Sequence, residues 1–241
     1  MQSITVFGDI HANQPALTAV LADMDARKLS DRYCLGDLVG YGVMPNEVTR
    51  TIRDAGCPTL MGNYDQGVGE DSDDCGCAYT TRKSRELGER SIAWSNAHTT
   101  AENKAYLRSL PFSIPVQVGE LKILLVHGSP RRINEYLFED RPDRSLERLF
   151  EGTGFDVLVC GHTHIPYWRV LPSGRQVVNA GSVGKPKDGD PRACYAVLQV
   201  EGRVLAVEFV RVEYDVEKTA RAIESSEMPD QFAGMLRVGK G

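Results

Sequence analysis

Histidine is scarce in this chain, with five in 241 residues, and several features that would place it in a specialised class are missing. There is no excess of basic residues. The 28 Lys and Arg against 33 Asp and Glu leave a net charge of −5, which removes the footprint of general nucleic-acid binding or of attraction to anionic membranes. No apolar run approaches the roughly 18 to 20 residues of a membrane span. Met1-Gln2-Ser3-Ile4 enters a short apolar run with no charged leader or cleavage site. Six cysteines are present, but without a secretory signal disulfides are not expected. A soluble cytoplasmic protein follows, with no membrane or nucleic-acid partner and an oligomeric state that composition does not fix. Repeats, linkers and low-complexity tracts are also missing, so residues 1–241 read as a single domain, long enough to bury a sizeable core without staples.

Two cysteines, Cys34 and Cys160, lie inside apolar runs and read as small buried hydrophobes. Cys75 and Cys77 form a C-x-C beside the acidic Asp71-Ser72-Asp73-Asp74. A zinc site needs a second such pair at set spacing, so this one reads as an unliganded loop.

What the chain does contain is a recurring pattern. Short apolar runs end each time in glycine or a polar residue: Ile4 to Phe7 before Gly8-Asp9, Tyr33 to Leu35 before Gly36-Asp37, and Thr59 to Met61 before Gly62-Asn63. Ile123 to Val126 runs into His127-Gly128, and Val157 to Cys160 into Gly161-His162. Uninterrupted apolar runs of this length fit strands buried on both faces. Between the first runs, Gln14 to Lys28 places Leu17, Val20, Leu21 and Met24 at helix spacing behind an Asn13 cap, and Asn46 to Ala55 follows Pro45 and stops at Gly56. The first third is thus expected to be βαβαβ, crossing over into a parallel sheet whose strand ends gather ligands. Asp9, Asp37, Asn63, His127 and His162 are expected to converge there.

Residues 80–110 read as a polar helical segment, a candidate lid. Gln176 to Ala180, Ala193 to Val200 and Val204 to Val212 read as strands of a second, antiparallel-rich sheet. A helix over Asp215 to Ser226 and a partly loose tail follow.

Asp9 and His11 are two residues apart at a strand end, and so are His162 and His164, so each pair can aim at one point. With Asp37, Asn63 and His127 the set holds two carboxylates, one amide and four imidazoles, more than one tetrahedral ion uses. Two ions are expected. A carboxylate such as Asp37 can bridge metals about 3.5 to 4 Å apart, a spacing that lets both contact one phosphate. Oxygen and imidazole donors without thiolate admit Mn, Fe, Zn, Co or Ni. Two divalent ions would also bring the formal charge to about −1 and concentrate positive charge at one cleft.

In order along the chain, D-x-H (Asp9, His11), G-D-x-x-G (Gly36, Asp37, Gly40), G-N (Gly62, Asn63), H-G (His127, Gly128) and G-H-x-H (Gly161, His162, His164) resemble the calcineurin-like metallophosphoesterase superfamily. Asn179-Ala180-Gly181-Ser182-Val183-Gly184 resembles its small bacterial and archaeal phosphodiesterase-like branch. The resemblance implies a four-layer α/β/β/α sandwich of two mixed β-sheets flanked by helices. It also implies two divalent ions, one on Asp9, His11, Asp37 and His164 and the other on Asp37, Asn63, His127 and His162. The implied activity is phosphodiesterase or phosphatase hydrolysis of a small phosphoester by a metal-bridging hydroxide. The chain departs from the family's commonest pattern after Asn63, where His and then an acidic residue are usual and Tyr64 and Asp65 stand instead. The implied catalytic set is therefore Asn63, Tyr64 and Asp65. A phenol with an ordinary pKa near 10 donates a hydrogen bond but is a poor acid at neutral pH, so esters with good leaving groups are expected to be favoured.

Arg131 and Arg132, just after His127-Gly128-Ser129-Pro130, could grip a phosphate or form a solvated loop face. His98 lies outside every motif, and Trp94 and Tyr106 read as core rather than as a stacking platform. Gly181 to Lys185 lacks the upstream Gly and following Ser or Thr of a phosphate loop. The class-distinct rival is a binding or scaffold protein that keeps the fold with weak or no catalysis. A nuclease or protein phosphatase would need a recognition groove for which no basic stripe is present.

Overall fold

The structure, a computed structural model, describes residues 2–241. Strands β1 (Gln2–Phe7) and β2 (Arg32–Cys34) run parallel, and the long hairpin β8 (Ala193–Glu201) and β9 (Val204–Val212) joins them antiparallel to give a four-stranded sheet in the order β2-β1-β8-β9. The second sheet has five strands in the order β3-β4-β5-β7-β6. Its members are β3 (Ser113–Val118), β4 (Leu121–Val126), β5 (Val157–Cys160), β6 (Tyr167–Val170) and β7 (Gln176–Asn179), with β4, β5 and β7 parallel and the two outer strands antiparallel.

Strand parity sorts the apolar residues into layers, because successive side chains point to opposite faces. Ile4 and Val6 of β1, Ala196 and Leu198 of β8, Ile123 and Leu125 of β4, and Val157 and Val159 of β5 form one cluster between the sheets. The alternate positions face outward to helices. Phe7, Tyr195 and Val197 pack on α1 (Gln14–Ala26) and α2 (Pro45–Asp54), while Leu124, Val126, Leu158 and Cys160 pack on Leu146 of α6 (Asp143–Glu147) and on Leu149 and Phe150. Two mixed sheets flanked by helices result, as the resemblance implied.

Local sequence explains the helices. The Asn13 side chain accepts from the Ala16 amide at 3.2 Å and starts α1, and Pro45 occupies the first position of α2, where its missing N–H costs nothing. The segment expected as one helical stretch over 80–110 is two helices, α4 (Arg82–His98) and α5 (Ala101–Ser109). Thr99 and Thr100 are extended between them, and the Thr100 hydroxyl caps α5.

Four expectations are corrected. Thr59 to Met61 is not a strand: it makes a single parallel bridge, Thr59 to Cys34, because β2 beside it has only three residues and the chain turns at Gly62 into α3 (Asn63–Gly69). The five runs do not share one parallel sheet, since β1 and β2 lie in one sheet and β4 and β5 in the other. The 193–212 hairpin does not found a separate sheet, because Ile4 pairs with Leu198 and Val6 with Ala196. Nor is the tail loose. Helix α8 (Gln231–Val238) buries Phe232, Ala233 and Leu236 against Ala220 and Ile223 of α7 (Val216–Glu224), and large side chains so buried contribute about 1.5 to 3 kcal/mol each.

Among the described residues no helix is long and apolar enough to cross a membrane.

Candidate metal centre

The loops that leave β1, β2, β4 and β5 meet where the two sheets adjoin. They bring together Asp9, His11 and His164 in one group and Asp37, His127 and His162 in a second, all buried. Each group draws on both sheets: Asp9, His11 and Asp37 follow strands of the first, and His127, His162 and His164 follow strands of the second.

The backbone is forced into shape here. Asp9, His11, Asp37, His162 and His164 all have φ between 49° and 65°, the left-handed region. Such a conformation costs a residue with a Cβ roughly 1 to 2 kcal/mol. The strain aims side chains from short loops at a common point, and it concentrates on the ligand positions. Glycines make room: a Cβ on Gly161 would lie 2.5 Å from Asp9 Oδ2, and one on Gly62 would fall against Asp37 Oδ1.

Each carboxylate is held by a backbone amide. Tyr64 N–H donates to Asp37 Oδ1 at 2.8 Å, leaving Oδ2 between His127 Nε2 at 3.4 Å and His11 Nε2 at 3.6 Å. His162 N–H donates to Asp9 Oδ2 at 3.1 Å, while Asp9 Oδ1 lies 3.3 Å from His164 Nε2. One oxygen of Asp37 thus faces both groups, and Asn63 Oδ1 lies 3.0 Å from His127 Nε2 in the second.

The imidazoles are oriented from behind. His11 Nδ1 donates to Val39 O at 3.0 Å, His127 Nδ1 to Leu35 O at 2.9 Å, and His164 Nδ1 to Lys185 O at 2.6 Å. A carbonyl can only accept, so each of these Nδ1 atoms carries a proton. Burial pushes His11 down to about 3 and His164 well below the usual histidine range, so both rings are neutral. Their Nε2 lone pairs then face each other at 3.2 Å. Two lone pairs at that distance repel unless a cation lies between them.

In the second group His127 Nε2 faces His162 Nδ1, also at 3.2 Å. Burial disfavours charge on His127, but the Asp37 carboxylate and, further off, Asp9 outweigh it and raise His127 to about 10. The same contact works in reverse on Asp37: burial acts to raise it, and His127, His11 and His162 hold it below the usual carboxylate range. Asp9 is pushed up to about 7 by burial, with Asp37 adding to the rise. A site that draws a proton this strongly at one imidazole and buries two carboxylates is built around positive charge. The donor set fits two divalent ions.

Asp65 and Tyr64 stand at the start of α3. Asp65 accepts from Leu38 N–H at 2.8 Å and from Gly62 N–H at 3.0 Å, so both its oxygens tie the Asp37 loop to the Asn63 turn. Burial, with Asp37 nearby, raises it to about 7. Tyr64 is buried, packs 4.7 Å from Tyr41 and 5.6 Å from His11 between ring centroids, and its hydroxyl has no hydrogen-bond partner. Burial raises the phenol well above its ordinary range, so it keeps its proton at neutral pH.

Arg131 and Arg132 are exposed. They border an outer depression with Glu135, Arg141, Ser145 and Arg148, and Arg131 lies 3.6 Å from Glu135. Cys75 and Cys77 are free thiols with their sulfurs 3.2 Å apart, outside both metal groups. The pair still touches the centre, because Asn63 Nδ2 donates to Cys75 O at 2.8 Å and to Cys77 Sγ at 3.3 Å. The Cys75 hydrogen bond brings Cys77 down to about 7. His98 is exposed and stacks on Trp94 at 3.8 Å, away from the centre.

A cavity adjoins the metal groups. Its walls include Tyr41, Cys77, Tyr136, Lys185 and Lys187, none of them anticipated as site residues. Tyr41 packs edge-on against His11 at 4.8 Å and Tyr136 lies over His162 at 4.0 Å. Their only signal in the sequence is proximity to motif residues: Tyr41 follows Gly40, and Lys185 and Lys187 follow the Ser182-Val183-Gly184 turn.

Residues 2–203 match the family model for the calcineurin-like phosphoesterase superfamily domain. The chain is 34% identical to an uncharacterized protein of Methanocaldococcus jannaschii over 98% of each sequence. Its structure is similar to that of a metallophosphoesterase from Sphaerobacter thermophilus, with 30% identity and a TM-score of 0.77 over 98% of each chain. It is similar in fold to a hypothetical protein from Pyrococcus horikoshii OT3, with 24% identity and a TM-score of 0.83 over 99% of this chain and 98% of that one.

Proposed function

The chain belongs to the calcineurin-like phosphoesterase superfamily, and from that premise we propose that it is a dinuclear metal-dependent hydrolase of small phosphoesters, a phosphodiesterase or phosphatase. The observation that carries this reading is the pair of facing imidazole nitrogens at 3.2 Å in each group, with one Asp37 oxygen set between the groups. Asp9, His11, Asp37 and His164 would hold one ion and Asp37, Asn63, His127 and His162 the other. Two such ions supply positive charge for the phosphoryl oxygens and lower the pKa of water towards neutrality.

The chain's own residues prepare the site for that chemistry. The Val39, Leu35 and Lys185 carbonyls fix the imidazole tautomers, so no reorientation is needed when the phosphoester arrives. Asp65 is a positioning residue that locks the Asp37 and Asn63 loops together. Tyr64 holds its proton and acts as a hydrogen-bond donor rather than as an acid. Arg131 and Arg132 remain candidates for contact with the part of a substrate that extends outward past His127.

The test is elemental analysis of protein depleted of metal and reconstituted with Mn, Fe, Zn, Co or Ni in turn, together with turnover on phosphomonoesters, diesters and nucleotides. The expected result is two ions per chain and hydrolysis that falls at least about a hundredfold in Asp37→Asn, since this residue serves both ions. Two bound ions with no turnover on any phosphoester would overturn the hydrolase reading in favour of a scaffold.

A further inference from the structure

The cavity beside the metal centre measures about 260 Å³, and its walls include Lys185, Lys187, Tyr41, Tyr79, Tyr136 and Phe232. That is slightly below the usual range of small-molecule sites, about 300 to 1,000 Å³, so it suits a compact metabolite rather than a polymer. Tyr41 and Tyr136 join it to both metal groups through His11 and His162.

Two amines in such a place need an explanation. Lys185 is only 5% exposed and Lys187 is half-buried. Among the described residues no Asp or Glu carboxylate lies within ion-pair distance of either ammonium. The Cys77 sulfur in the cavity wall is a neighbouring charge for both amines, Lys185 also senses Lys187, and Lys187 senses Asp9 and Asp37 of the adjoining centre, whose charge bound metal would neutralise. Lys185 Nζ lies over the Tyr41 ring at 4.7 Å, with Phe232 at 6.0 Å, and Gly241 packs against it at the edge of the cavity. Burying two cations with no closely paired carboxylate is costly, and in one cavity they repel each other as well. An anion seated between them would remove both penalties, in a space whose aromatic walls exclude water and strengthen the attraction.

We propose that Lys185 and Lys187 form a subsite for a second anionic group of the substrate, a phosphate or carboxylate separate from the phosphate at the metal centre. The inference rests on the phosphoesterase reading and narrows it: the substrate is a compact molecule with two anionic ends, one at the metals and one on the lysines, its body lying against Tyr41 and Tyr136. The lysines set specificity by charge, since a neutral group in that position would leave two ammonium groups desolvated and unpaired.

The experiment uses the metal-loaded protein and ligands that cannot be hydrolysed, so binding is read independently of turnover. Calorimetric titrations compare propylphosphonate with alkylene bisphosphonates of two, three and four carbons and with 3-phosphonopropionate. At least one linker length is expected to bind about tenfold or more tightly than propylphosphonate, and the bisphosphonate and phosphonocarboxylate arms show which second anion is preferred. The ratio should fall towards one in Lys187→Met and in Lys185→Met and persist in Lys187→Arg, with folding of each variant checked by thermal unfolding. Tight, lysine-dependent bisphosphonate binding in a protein that hydrolyses no phosphoester would sink the hydrolase reading and leave the subsite standing. Equal affinity for mono- and bis-anions at every linker length, or a ratio unchanged in both Met variants, would overturn the subsite.

Discussion

The side-chain amide of Asn63 donates to Cys77 Sγ across 3.3 Å, and this contact, with a second to Cys75 O at 2.8 Å, decides which way the amide faces. With its nitrogen so engaged, Asn63 must turn Oδ1 towards His127 Nε2, 3.0 Å away. A cysteine outside both metal groups thereby orients an amide oxygen beside the second group.

Cys77→Ala should therefore weaken the ion held by Asp37, Asn63, His127 and His162 by up to about tenfold, the lower end of what an outer-shell partner contributes. The ion on Asp9, His11 and His164 should change less. Stepwise metal titration separates the two affinities, and an unchanged second affinity would remove Cys77 from this role.

Gly62→Ala should cost about 3 kcal/mol, because the added methyl falls against Asp37 Oδ1 and Asp37 N, where the loop has no slack. Gly174→Ala is the control. Gly174 has φ +82° with no atom within 4 Å of an added Cβ, so only the left-handed backbone is penalised, by about 1 to 2 kcal/mol. Denaturant unfolding of both should give the larger loss at Gly62, together with poorer metal retention there; equal losses would contradict the crowding argument.

Leaving-group dependence tests Tyr64. Its phenol is buried, unpartnered and raised well above its ordinary pKa, so it does not release a proton at neutral pH. Hydrolysis rates across aryl esters should fall steeply as the leaving group becomes more basic, and the slope should flatten in Tyr64→His, whose imidazole can donate a proton. Identical slopes would show that position 64 takes no part in the proton transfer.

Glu135 anchors the loop that follows His127. Burial acts to raise its carboxyl, but the Ser129 hydroxyl at 2.5 Å and the Arg141 guanidinium at 2.7 Å outweigh burial and hold it below the ordinary 4.5. A depressed carboxylate stabilises the fold above its unfolded-state value, and the contribution fades as pH drops through the lower folded value. Glu135→Gln should thus be less stable than wild type by about 1 kcal/mol at pH 7 after allowance for solvent screening, with the gap closing below pH 4.5. Urea curves at pH 7 and pH 3.5 measure it, and a gap that persists in acid would assign the effect to packing.

The residues of the two candidate metal groups could be read from the chain because each follows a short apolar run, and the turn at a strand end needs the glycine-and-polar pattern that marks it. Asp9, His11, Asp37, His127, His162 and His164 fall into the two groups that the motif resemblance implied. Sheet membership was not legible. A run such as Val157 to Cys160 declares that both its faces are buried, not which strand lies beside it, so which strands share each of the two expected sheets and the reduction of Thr59 to a single bridge depend on pairing partners distant in sequence. The cavity walls were hidden for a similar reason. Lys185 and Lys187 look like surface residues in a turn until α8 brings Phe232 over Lys185 and closes one side of the cavity that both line.

Because each candidate metal group draws residues from both sheets, bound ions would act as a rivet between them at their strand ends. His11 and His164 lie 153 positions apart, and an ion between them closes that span as a cross-link would, without a covalent bond. Neither half can assemble a complete group alone, so metal capture would be confined to chains whose two sheets have already docked, and bound ions would then resist their separation. Chelation should accordingly loosen the seam between the sheets before it disturbs either sheet, which hydrogen exchange would register as faster opening at the loops after Phe7 and Cys160 than within β8.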